Sequence, residues 1–109
     1  MSIKPVIENL PLLSRMARAA LHWTQEKTAE ETGVPKVSLA RFESLTGALT
    51  TTQLGMLIDG YEDAGITFHH EDRTIGISLQ HHTAALSLAW IEDPESRRSD
   101  YKGKKDDQA

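Results

Sequence analysis

The sequence predicts an α+β fold: short helices over residues 1–65, a three-stranded antiparallel meander over residues 66–92, and a charged tail over residues 93–109. Two stretches carry this expectation. TQEKTAEETGVPKVSLARFES, residues 24 to 44, has the apolar spacing and end signals of two short helices broken once, at TGVP. From Ile66 onward, large apolar residues alternate with small or polar ones, which is the period of half-buried strands.

The helices follow in order. Leu13, Met16, Ala17, Ala20 and Leu21 share one helical face, which predicts a helix from about residue 12 to 22. Thr24 is an N-cap, and Trp23 before it is placed to staple the next helix against the first. That helix, QEKTAEET, stops at Gly33, which adopts a left-handed C-cap without steric cost. Pro35 opens the third helix, where a missing N–H does no harm. Leu39 and Phe42, three apart, form its buried face. A further helix over TTQLGMLIDGYEDAG turns Leu54, Leu57, Tyr61 and Ala64 inward and ends at Gly65.

The order Gln25, Ala29, Gly33, Val34, Leu39, Phe42 resembles the helix-turn-helix of the Cro/C1-type (Xre-like) DNA-binding transcriptional regulators. SRMARAALHWTQ resembles the first helix of that family and TTQLGMLIDGYEDAGITF its fourth, so the likeness covers residues 12 to 70. Thr28 and Thr32 stand where the family favours apolar residues, and Pro35 replaces its serine-type cap. The resemblance implies a lambda-repressor-like unit of four to five helices. It also implies that the third helix of residues 35–43 enters a major groove of double-stranded DNA. Lys36, Val37, Ser38 and Arg41 then face bases or phosphates, and Gln25 is carried over as a phosphate clamp. Arg18 and Glu43 match the family's internal ion pair, a scaffold role.

In the C-terminal part, a turn at Glu71 and Asp72 sets Phe68 opposite Ile75 and Ile66 opposite Ile77. A second, at His82 and Thr83, sets Leu79 opposite Leu86, Ile77 opposite Leu88 and Ile75 opposite Trp90. One register then gathers Ile75, Ile77, Leu79, Leu86, Leu88 and Trp90 on one face, predicted to be the dimer interface. The competing reading is a short helix over residues 84–91, favoured by its alanines and leucines.

Composition narrows the function. A net charge of -4 opposes nonspecific nucleic-acid binding, but the charge is uneven. Residues 14–50 hold Arg15, Arg18, Lys27, Lys36 and Arg41 against Glu26, Glu30, Glu31 and Glu43; residues 51–91 hold Arg73 against Asp59, Glu62, Asp63, Glu71 and Asp72. The opening region is the one suited to phosphate. The absence of cysteine removes disulfides, thiolate catalysis and thiolate metal sites. The start MSIKPVIENLPLL lacks the basic segment and unbroken apolar run of a secretory signal, and no run is long enough for a bilayer, so a cytoplasmic location is expected. His69 and His70 lie roughly 26 Å from His81 and His82 by strand rise, too far to share one ion, and no metal or other cofactor is assigned. No nucleophile stands beside an evident base and no glycine loop cradles phosphate, so no enzyme activity is expected.

The sequence-level expectation is a dimeric repressor, of a kind carried by phages or mobile elements, that binds an inverted repeat. The alternative is an antitoxin or antiactivator that captures a protein partner on its apolar sheet and keeps the helix-turn-helix as scaffold.

Overall fold

The computed structural model describes residues 3–93; the expected charged tail lies outside them apart from Asp93. Five helices come first: α1 (Lys4–Glu8), α2 (Leu10–Leu21), α3 (Gln25–Thr32), α4 (Lys36–Glu43) and α5 (Thr51–Asp63). A hairpin of β1 (Ile66–His70) and β2 (Ile75–Leu79) follows, and then α6 (His81–Glu92). The α+β class therefore holds, with six helices and a two-stranded antiparallel sheet among the described residues.

The local signals of the first 65 residues act as their chemistry requires. Thr24 caps α3 by accepting from Lys27 N, and Gly33 ends it at φ 86. A side chain at Gly33 would be strained in that left-handed conformation and would also press on Met56 Cε at 2.9 Å. Pro35 is the N-cap of α4, which buries Leu39, Phe42 and Glu43. Thr50 and Gln53 form a capping box on α5. Leu10, Leu13, Val34, Leu39, Leu57, Tyr61 and Ile66 are sealed from solvent at the centre. Thr28 and Thr32 are buried as well, and each hydroxyl donates to the carbonyl four residues back, at 2.9 and 2.8 Å. Polar residues at apolar positions are thus accommodated by backbone acceptors.

Two corrections concern the C-terminal part. Ile66 pairs with Leu79, Phe68 with Ile77 and His70 with Ile75, two residues from the predicted register. Glu71 N donates to Thr74 O at 2.8 Å and Thr74 N to Glu71 O at 3.4 Å, which puts Asp72 and Arg73 at the tip instead of Glu71 and Asp72. Because side chains alternate with period two, that shift leaves every residue on its predicted face.

The second correction is larger. Residues 81–92 are helix, not a third strand. Gln80 N donates to Gly65 O at 3.0 Å, and Thr83 Oγ1 donates to Ala64 O at 3.1 Å, so the chain turns into a helix against the end of α5. Gly65, at φ 98, makes room: a Cβ there would overlap Thr83 Oγ1. Helical spacing then brings Thr83, Ser87 and Trp90 to one side. Ser87 Oγ hydrogen bonds His22 Nε2 at 3.0 Å, and Trp90 stacks on the His22 ring with centroids 4.2 Å apart. A strand would have separated these contacts across two faces.

Candidate functional site

Glu43 sets the position of α4. Its side chain is 3% exposed, and it collects donors from two other helices: Arg18 Nη2 at 2.7 Å and Nε at 3.0 Å, Ser14 Oγ at 2.5 Å, and Gln25 Nε2 at 3.1 Å. The Tyr61 hydroxyl lies 2.7 Å from Ser14 Oγ and ties in α5. Burial raises the Glu43 pKa, but the hydrogen bonds from Arg18, Ser14 and Gln25 and the Arg18 charge outweigh it and hold the carboxyl below its ordinary value of 4.5. Burial pushes the Tyr61 hydroxyl up to about 12. The bidentate contact of Arg18 with Glu43 fixes α4 against α2 in both distance and orientation. The ion pair expected from the sequence is thus present.

With Leu39, Phe42 and Glu43 turned in, the opposite side of α4 is open. Lys36, Val37 and Arg41 are exposed and Ser38 is half-buried. Among the described residues, neither Lys36 nor Arg41 forms an ion pair. Thr46 N donates to Arg41 O at 2.8 Å, and Gly47 sits so close to the Arg41 stem that a Cβ would fall 2.9 Å from it. The loop after α4 therefore braces the base of Arg41 and leaves its guanidinium outside.

Gln25 is placed differently from the other four. It lies half-buried at the start of α3 with its amide donating to Glu43. The four α4 residues form one surface; Gln25 belongs to the polar cluster behind it.

The six residues predicted for a dimer face do not come together. Ile75, Ile77 and Leu79 are half-buried and pack on the core of their own chain. Leu86 and Leu88 stand on α6 at 62% and 59% exposure, and Trp90 is half-buried against His22. The sequence reading missed the roles of Ser14 and Ser87; His22, which lies between two helices and reads from the sequence as structural or exposed, is structural. The Thr83, Ser87, Trp90 spacing was a usable helical signal, whereas nothing local pointed Ser14 at Glu43, 29 positions away.

Among the described residues, no cluster of three or more histidine, aspartate or glutamate side chains is placed to hold a metal ion, and no helix is long and apolar enough to cross a membrane. The chain matches no protein-family model and no curated protein sequence.

Proposed function

We propose that this chain is a sequence-specific DNA-binding transcriptional regulator, a dimeric repressor that reads an inverted repeat with α4 in the major groove. One observation carries the reading: α4 is locked by Glu43 so that Lys36, Val37, Ser38 and Arg41 project together, with both cations free of ion pairs among the described residues. A rigid helix offering a guanidinium, an ammonium, a hydroxyl and a methyl-bearing side chain suits base edges and phosphates. α3 and α4, joined through Gly33 and Pro35, are the helix-turn-helix of this proposal. In it, Gln25 reaches phosphate only by exchanging its bond to Glu43.

Selection of bound duplexes from a random pool, followed by anisotropy titrations across salt, tests the proposal. A regulator enriches an inverted repeat with half-sites about 10 base pairs apart or a multiple of that, and its affinity falls steeply with salt. Lys36→Ala and Arg41→Ala each weaken that site by about tenfold. Failure to enrich any sequence, or affinity indifferent to both substitutions, would exclude the reading.

A second reading is favoured by one observation, the exposure of Leu86, Leu88 and Ile91 on α6. In it the chain is an antitoxin or antiactivator whose captured protein covers that helix. Binding of such a partner would respond to charge at Leu88 and not to Lys36→Ala.

A further inference from the structure

We infer that Leu45 is a further DNA-contacting residue, whose apolar side chain meets the duplex just past the C-terminal end of α4. The inference rests on the regulator reading and deepens it, extending the contact surface from the helix into the loop that follows.

The ground is a conformation that leucine does not favour. Among the described residues Gly33, Gly65, His22 and Leu45 adopt a left-handed φ, at 86, 98, 58 and 65. The two glycines do so without a Cβ penalty. His22 offsets its penalty within the chain, by stacking on Trp90 and bonding Ser87. Leu45 does not: at 77% exposure it stands furthest into solvent of the large apolar side chains described. A left-handed leucine and an apolar group in water are two penalties on one residue, and packing offsets neither. Strain of this kind without internal use points to a contact outside the chain.

The turn that presents Leu45 is firm. Leu45 N donates to Phe42 O at 3.1 Å and Thr46 N to Arg41 O at 2.8 Å, a Schellman closure of α4 in which glycine usually takes the place of Leu45. Ser44 Oγ and Thr46 Oγ1 also donate to the Arg41 carbonyl, at 3.2 and 3.3 Å. Leu45 is thereby ordered before any partner arrives, and binding need not fix the turn.

Charge decides the partner. Leu45 borders a hollow of about 220 Å³ with Leu12 and Arg15 of α2. Both acids on that hollow are already matched: Glu8 pairs with Lys4 at 3.9 Å and Glu43 with Arg18 at 2.7 Å. Arg15 is exposed and forms no ion pair among the described residues, and the same holds for Arg41 in the last turn of α4. An apolar side chain with one such guanidinium beside it and another just before it in the chain suits a polyanion that has apolar sugar and base faces.

Leu45→Gly, Leu45→Asn and Leu45→Ala test this on the full chain, by thermal unfolding without DNA and by anisotropy titrations across salt with the duplex that the wild type enriches. Leu45→Gly and Leu45→Asn relieve the left-handed strain, so each should raise Tm by about 2 to 5 °C, whereas Leu45→Ala keeps the Cβ and should not. All three remove the apolar body and should weaken binding about fivefold or more. The slope of log affinity against log salt should stay at the wild-type value, because no cation is lost; Arg41→Ala should lower it by about one. A protein made more stable and a weaker binder by the same substitution is a result that a purely structural residue does not give. Variants that bind the enriched duplex as tightly as the wild type overturn the inference. So does a slope that falls as it does for Arg41→Ala, since the loop would then only position that guanidinium. A Tm lowered by both Leu45→Gly and Leu45→Asn overturns it too, because the side chain would then be packed within its own chain. If Leu45→Gly abolishes self-association in sedimentation without DNA, the side chain belongs to a second copy and the inference falls. These four outcomes leave the regulator reading in place, whereas a wild type that enriches no duplex removes that reading and this contact together. Should Leu45→Gly misfold, Leu45→Asn decides.

Discussion

Helices α4 and α6 both pack against α2, yet they present opposite chemistry to solvent. α4 buries Leu39, Phe42 and Glu43 and exposes two cations; α6 anchors itself through Thr83, Ser87 and Trp90 and exposes three large aliphatic side chains. The anchors differ as well. α4 is held by a buried carboxylate with four donor contacts, α6 by two neutral hydrogen bonds and one ring stack. A charged network of this kind is costly to break by halves, whereas neutral contacts release one at a time. The helical unit is thereby fixed in one geometry, and the C-terminal helix is the less firmly held.

The largest test of that contrast is Gly65→Ala. The new methyl would be strained at φ 98 and would collide with Thr83, so about 3 kcal/mol of stability should be lost in urea unfolding, with α6 released before α5. An unchanged midpoint would mean that α6 is not seated on Gly65. Gly33→Ala should cost less, about 1 to 2 kcal/mol, because the flexible Met56 end can give way.

Next in size is Glu43→Ala, which strands Arg18 at a half-buried site and should cost roughly 2 to 3 kcal/mol. If α4 owes its orientation to this residue, affinity for any duplex enriched in the selection assay should fall with it even though Glu43 faces away from the proposed DNA-reading surface. Glu43→Gln, which keeps the shape, should recover part of the loss.

The same cluster makes stability depend on pH at both ends. Glu43 has a depressed folded pKa, so its contribution is present at neutral pH and drains away as pH drops below 4.5 and through the folded value. Tyr61 has a raised one, so its contribution is complete below pH 10 and is lost as pH climbs from 10 to about 12, roughly 2 to 3 kcal/mol. Tyr61→Phe should flatten the alkaline limb while leaving the acid limb in place. An alkaline limb that survives the substitution would assign it elsewhere.

The smallest expected effect is at His22. His22→Asn tolerates the left-handed φ of 58 but removes the ring stack and the bond to Ser87, costing about 1 kcal/mol. Its signature should be local: faster amide exchange in α6 and redder Trp90 emission, with α3 and α4 unaffected. Uniform loosening of every helix would remove the distinction between the two regions.

How much of this was legible in the sequence depended on whether a signal was local. Thr24, Gly33 and Pro35 act within one or two turns, so the limits of α3 were readable to the residue and the start of α4 to within one. The apolar faces of α4 and α5 repeat at helical spacing, and the Arg18–Glu43 pair became visible through a family pattern. For α6 the local signals conflicted. IGISL and ALSLAW both alternate apolar and polar residues, and alternation alone does not separate a strand from a helix that is apolar all round.

The sequence by itself determined the α+β class, the chain of short helices, the turn at Gly33, which residues of α4 face inward, and the side of each strand that meets the core. Those follow from periodicity and from backbone preferences that each residue carries with it. Tertiary structure alone decided that residues 81–92 coil instead of pairing with β2, that the sheet covers its own helices, and that Gln25 turns toward Glu43. In each case the deciding partner lies far along the chain: Ala64 and Gly65 for Thr83 and Gln80, His22 for Ser87 and Trp90, and Glu43 for Gln25. A hydrogen-bonding group takes its partner from whatever packing brings within 3 Å, and no local pattern records that.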